Sequence, residues 1–144
     1  MTKACTMHLK DYPLGKKRPE KVTTFTGKKL DDITLAAVLN GDISDNDIRI
    51  SPEVLLMQAE ISELSGRRWL ANNFHRAAEI CRLPDDKVLD IYNSLRPYRC
   101  SSSELETIAN ELEHKYGAVF CANLVREAAD AYLKRGFLKK NDLK

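Results

Sequence analysis

Helix punctuation constrains this chain more than any other feature of its sequence. Ser51-Pro52-Glu53 sets a capping hydroxyl, a proline suited to the first helical position and an acid for the first turn in direct succession. Val54, Met57, Ile61 and Leu64 follow at three- and four-residue spacing, which predicts an amphipathic helix that breaks or bends at Gly66. Trp69, Leu70, Phe74, Ala77, Ala78 and Cys81 continue the pattern to Leu83 as a core stripe, and a further helix starts at Pro84-Asp85-Asp86. Ser101 and Glu104 have capping-box spacing, Leu105, Ile108, Ala109, Leu112 and Tyr116 supply the face of the helix they open, and Gly117 ends it. A last helix carries Cys121, Leu124, Val125, Ala128 and Tyr132 to Gly136. Nearer the start, Leu30-Asp31-Asp32 opens a short helix through Ile33, Leu35, Val38 and Leu39 that closes at Asn40-Gly41. No stretch shows the two-residue alternation of a strand. The expected fold class is therefore all-α: a compact bundle of five or six helices with short connections.

A chain of 144 residues is long enough to bury about two-thirds of its unfolded surface. Residues 1–30 hold two prolines, two glycines and the basic run Lys16-Lys17-Arg18 with little apolar periodicity, so they are expected to form an extended N-terminal arm of small core contribution, with the helical domain at 31–144. Tyr12, Pro13 and Leu14 make an apolar cluster within the arm, which suits a segment lying across another surface. Acids and bases nearly balance at a net charge of +2, which argues against a dedicated nucleic-acid binder. No apolar run reaches the roughly twenty residues of a membrane span, and Met1 to Lys10 lack a signal peptide's apolar segment, so a cytoplasmic protein is expected. Cys5, Cys81, Cys100 and Cys121 are scattered and suggest neither a zinc site nor a disulfide framework.

Catalytic constellations are hard to draw. His8, His75 and His114 share no ligand spacing, and the acids at 42, 45 and 47 lack the spacing and internal glycine of a calcium loop, so no metal site is expected and a polar turn accounts for the acids. Asp31-Asp32 and Asp85-Asp86 complement helix dipoles. Ser101 to Ser103 form no nucleophile elbow, and the dispersed glycines form no phosphate cradle. No catalytic or cofactor-binding residue is assigned. What stands out instead is the corner at Ile91-Tyr92-Asn93-Ser94-Leu95-Arg96-Pro97-Tyr98-Arg99, where Pro97 ends a helix and sets Arg96, Tyr98 and Arg99 outside it. Two readings are open: a docking corner built from residues that often anchor interfaces, or a solvated helix end whose arginines complement the dipole.

Several pieces, in order, resemble the small, or gamma, subunit of adenosylcobalamin-dependent glycerol and diol dehydratases. They are Asp11-Tyr12-Pro13-Leu14, Asp31-Asp32-Ile33-Thr34-Leu35, Asp47-Ile48-Arg49-Ile50-Ser51-Pro52-Glu53, Asn73-Phe74-His75-Arg76-Ala77-Ala78-Glu79, Pro84-Asp85-Asp86-Lys87-Val88-Leu89, the 91–99 corner and Val125-Arg126-Glu127-Ala128-Ala129. The resemblance implies a helical subunit that packs on a large subunit, in a complex that includes a medium subunit and is a dimer of heterotrimers. It implies radical dehydration of glycerol to 3-hydroxypropionaldehyde and of 1,2-propanediol to propionaldehyde. Substrate and adenosylcobalamin are then held by the other subunits, with no active site in this chain, and a reactivating factor acts on the complex. Many diol dehydratase small subunits carry an added segment before the Asp-Tyr-Pro-Leu piece; here it begins at Asp11, which favours the glycerol branch and makes microcompartment packaging the less favoured location. Tyr12, Pro13, Arg49, Arg96, Pro97, Tyr98 and Arg99 are the candidate contacts with the large subunit. The competing reading is a free-standing helical module that binds protein, or nucleic acid through Lys16, Lys17, Arg18, Lys28 and Lys29.

Overall fold

In a computed structural model of the chain, residues 7–139 are described, and they divide into two compact units, one ending at Cys81 and the next beginning at Arg82. The described residues contain seven α-helices, α1 (Leu14–Lys17), α2 (Leu35–Leu39), α3 (Pro52–Leu64), α4 (Arg68–Ile80), α5 (Asp85–Ser94), α6 (Ser102–Tyr116) and α7 (Val119–Arg135), with short 3-10 turns between the early ones. The fold is all-α. A single isolated bridge pairs Thr23 with Lys29.

In the first unit α3 and α4 form a helical hairpin. Ser51 caps α3 by accepting from the Val54 amide, Pro52 occupies the first helical position, and the chain reverses at Gly66, whose φ of 76° suits a residue without a Cβ. Fully buried Ala59, Ala71 and Ala78 line this hairpin. Trp69 was expected in the core stripe but is 67% exposed. The reason is phase: at 3.6 residues per turn Trp69 lies roughly 200° around the helix from buried Ala71.

The arm contributes more to the core than its composition suggested. Met7 and Leu14 are buried against Met57 and Ile61 of α3, and the Met7 amide donates to Glu60 Oε1 at 2.8 Å. Instead of running fully extended, residues 9–21 fold as successive turns around the buried carboxylate of Asp11. That carboxylate accepts from the His8 amide at 2.8 Å and from Arg18 Nε at 2.7 Å, and the Arg18 bond is the main cause that holds its pKa below the ordinary value.

A second polar latch follows. Asp47 is buried and accepts from Thr26 Oγ1, from the amide and hydroxyl of Ser44 (2.7 and 2.8 Å) and from Lys28 Nζ at 3.1 Å. Lys28 also donates to the Asp42 carbonyl. The latch joins the 23–29 bend to the turn after α2, which opens at Thr34 rather than at the expected Leu30-Asp31-Asp32; those three residues form a 3-10 turn of their own. Thr34 wins because its hydroxyl reaches the Ala37 amide at 3.2 Å.

In the second unit α6 and α7 pair, and Leu105, Ala109, Leu112, Ala122 and Val125 make the core with Leu83 and Leu138; Val88 and Ile91 of α5, and Leu95 just after it, pack against it. The Ser101–Glu104 capping box is complete, with the Glu104 amide donating to Ser101 Oγ at 3.1 Å and the Ser101 amide donating to Glu104 Oε2 at 2.8 Å. Gly117 takes the left-handed conformation that ends α6. Across the surface, Arg126 of α7 bridges Glu106 and Glu113 of α6 at 3.1 and 2.8 Å, and Lys87 of α5 meets Glu111.

The Asp47 latch has a pH signature. Hydrogen bonds, first from Thr26 and then from Ser44, hold its carboxyl well below the usual 3.8, so the folded state binds this proton less tightly than the unfolded chain. Its contribution is whole above about pH 5 and erodes as the pH falls toward the depressed folded value. Asp47→Asn should lower the melting temperature most at pH 7, and the gap from wild type should narrow on acidification. A gap constant with pH would assign the loss to hydrogen-bond geometry and not to the charge.

Candidate functional site

The corner is assembled from both ends of the second unit. α5 turns Val88 and Ile91 inward, as does Leu95 just after it, and leaves Leu89 and Tyr92 exposed on its other flank. After Leu95 the chain closes a turn in which the Arg99 amide donates to the Arg96 carbonyl at 3.3 Å, and Arg96, Pro97, Tyr98 and Arg99 are all exposed. Tyr98 has φ of 65°, a left-handed conformation that costs a non-glycine residue about 1–3 kcal/mol.

Several contacts hold Tyr98 there. Its amide donates to the Phe137 carbonyl at 2.7 Å, its ring meets Phe137 edge-on at 5.8 Å, and Phe137 meets Tyr132 edge-on at 6.2 Å. The Tyr132 hydroxyl donates to the Leu95 carbonyl, and the Lys139 amide donates to the Cys100 carbonyl at 3.0 Å. The segment after α7 therefore clamps the corner, and two arginine forks and a phenol are displayed on a fixed turn. Such a display suits the carboxylates and carbonyls of a protein surface. Sequence reasoning singled out the corner but missed Tyr132 and Phe137 as its supports. The available signal was Phe137-Leu138, two apolar residues placed just beyond the Gly136 helix stop.

The remaining candidates lie in the first unit, at two separate places. Exposed Tyr12, joined to Pro13 by a cis peptide, stands at a cleft of about 150 Å³ lined by Gln58, Ile61, Ser62, Arg67, Leu70 and Phe74. Exposed Arg49 lines another of about 250 Å³ with Leu30, Ile33, Asp47 and Ile48. Both clefts fall below the roughly 300–1,000 Å³ of small-molecule and cofactor sites, so they do not fit a corrinoid. Among the described residues no three His, Cys, Asp or Glu side chains converge on a metal position, and Cys81, Cys100 and Cys121 form no disulfide. Cys5 lies outside the described residues. No described helix is long and apolar enough to cross a membrane. Of the five basic residues offered to nucleic acid, Arg18 and Lys28 are engaged by Asp11 and Asp47.

The family model for the dehydratase small subunit matches residues 7–139. The chain belongs to the dehydratase small subunit family. It is 52% identical over 139 residues to a propanediol dehydratase small subunit of Citrobacter freundii, covering 96% of this chain and 81% of the relative. It is likewise 52% identical over 132 residues to the propanediol dehydratase small subunit of Salmonella typhimurium strain LT2, covering 92% of this chain and 76% of the relative. Neither of these small subunits carries a glycerol name. As a family member the chain is one part of a multi-subunit hydro-lyase, so its exposed side chains are to be read as surface available to larger partner subunits.

The clamp on the corner is testable in the chain alone. Phe137→Ala removes both edge contacts and should cost about 1–3 kcal/mol, whereas Tyr132→Phe loses one hydrogen bond, about 1 kcal/mol. Urea unfolding of the two variants beside wild type checks the order. Equal stability of Phe137→Ala and wild type would show that the rings do not hold the corner.

Proposed function

We propose that this chain is the small, non-catalytic but required subunit of an adenosylcobalamin-dependent diol dehydratase, held to a large subunit in a dimer of heterotrimers that includes a medium subunit. The reaction is the dehydration of a vicinal diol: 1,2-propanediol gives propionaldehyde and water, and glycerol gives 3-hydroxypropionaldehyde and water. Adenosylcobalamin, bound by the other subunits, supplies the radical chemistry. This chain supplies surface. The complex works in the cytoplasm, where a reactivating factor acts on it.

One observation carries this reading. A member of the dehydratase small subunit family leaves large apolar side chains exposed, among them Tyr12, Phe25, Leu35, Leu39, Trp69 and Tyr92. Where such side chains lie side by side, they mark protein–protein contact. Tyr12, Pro13 and Arg49 on the first unit, and Arg96, Pro97, Tyr98 and Arg99 on the second, are the proposed contacts with the large subunit. By role the chain divides into an arm over 1–30 and a helical domain over 31–144; this division concerns docking and not internal packing.

Co-expression with the large and medium subunits, followed by pull-down and an adenosylcobalamin-dependent aldehyde assay on both diols, tests the reading. Assembly and activity should both require this chain; an active complex lacking it would sink the proposal. Arg96→Ala with Arg99→Ala should leave the melting temperature of the free chain unchanged, because both side chains are exposed. In the complex, each arginine buried against a carboxylate should cost about 2–5 kcal/mol on truncation. Unchanged assembly of that double variant would remove the corner from the interface.

A further inference from the structure

α2 is an anomaly within the first unit. Its sequence, Leu35-Ala36-Ala37-Val38-Leu39, is wholly apolar, yet none of its residues is buried: Leu35 is 75% and Leu39 78% exposed. Five residues are too few to be helical on propensity alone. Thr34 caps the helix at one end, and the Asp42 amide donates to the Ala37 carbonyl at 2.9 Å near the other, so this apolar face is held in place by polar bonds and not by a core. Leu30 and Ile33, just before α2, line the 250 Å³ cleft together with Ile48. Ile48 and Ile50 are themselves 67% and 64% exposed.

The exposed charges of this surface lean acidic, with Arg49 the base among them. Residues 30–50 contain five aspartates and one arginine. Asp47 is buried and joined to Lys28, while Asp31, Asp42 and Asp45 are exposed. That pattern selects among occupants. A second copy meeting the same patch about a two-fold axis would set these aspartates against one another. An anionic lipid surface would be repelled.

We infer that the segment 30–50, built on the outward face of α2, is a docking element for a partner-subunit surface with an apolar slot for Leu35 and Leu39 and a lysine- or arginine-bearing rim opposite Asp31, Asp42 and Asp45. The inference rests on the subunit reading above and adds to it a surface distinct from the arginine corner. Because α2 buries nothing, the Asp47 latch acts here as a positioning device that fixes the turn beyond the helix.

The test uses the full chain with the large and medium subunits. Leu35→Asp with Leu39→Asp should keep the far-ultraviolet circular dichroism and melting temperature of the free chain, and raise the dissociation constant for the partner subunits at least tenfold. Unchanged affinity with wild-type folding overturns the inference and leaves the subunit reading standing. Failure of the wild-type chain itself to bind those subunits overturns both together. Should the double variant misfold, Asp31→Lys with Asp42→Lys and Asp45→Lys takes its place. That charge reversal should slow association at least tenfold in low salt and erase its salt dependence; wild-type association kinetics would overturn the inference. Sedimentation of the free chain covers the remaining occupant. A wild-type dimer made monomeric by Leu35→Asp with Leu39→Asp, with subunit assembly intact, overturns the inference in favour of a second copy.

Discussion

Burial of alanine within both helix pairs is the constraint on which this structure depends. Ala59, Ala71 and Ala78 in the α3–α4 hairpin, and Ala109, Ala118 and Ala122 in the α6–α7 pair, are all at most 1% exposed. Small side chains at such seams let helix axes come near one another, and the distance between packed helices follows the residues at the contact. Among the described residues no tryptophan, tyrosine or phenylalanine is buried, and alanine, leucine, methionine, isoleucine and valine fill the inside. In a free-standing domain this distribution would be a poor use of apolar surface. In a subunit such surface is available to a partner.

Outside the helix pairs, polar latches take over. Asp11 gathers the His8 amide and Arg18, and Asp47 gathers Thr26, Lys28 and Ser44. Both carboxylates are buried and both are multiply hydrogen-bonded, the condition under which a buried charge is tolerated. They fix segments that carry few regular backbone bonds and so hold Tyr12, Arg49 and α2 in defined positions. The second unit uses a different device at its corner: three aromatic rings and two backbone bonds keep Tyr98 in a conformation its side chain disfavours. Strain of this kind persists only where surrounding contacts over-determine it.

Local chemistry was legible in the sequence wherever a cap or stop acts within one turn. Ser51, Ser101, Gly117 and Gly136 could be read because the groups they satisfy lie three or four residues away. Tertiary choices were not. Trp69 and the α4 core residues share a helix, and spacing alone does not say which arc of it meets α3. Asp47 looked like one more solvated acid of a polar turn, since its partners Thr26 and Lys28 lie 21 and 19 residues earlier. The corner at 96–99 was visible through Pro97, but the clamp from Tyr132 and Phe137 joins positions more than thirty residues apart. Family membership was legible because ordered pieces spread over the chain carry it, although no single piece has a catalytic signature.

Exposed apolar surface on a subunit links folding to assembly wherever a partner covers it. A partner that binds only the folded chain stabilises it by mass action, in proportion to the logarithm of partner concentration over the dissociation constant. The free subunit relies on buried alanines, caps and two carboxylate latches, and leaves Leu35, Leu39, Trp69 and Tyr92 exposed. Rigid placement before binding matters for affinity, because a docking element that is already ordered loses less conformational entropy on association. An apolar turn of helix capped by Thr34 and followed by the latched turn meets that requirement at little expense to the core, since no residue of α2 is buried.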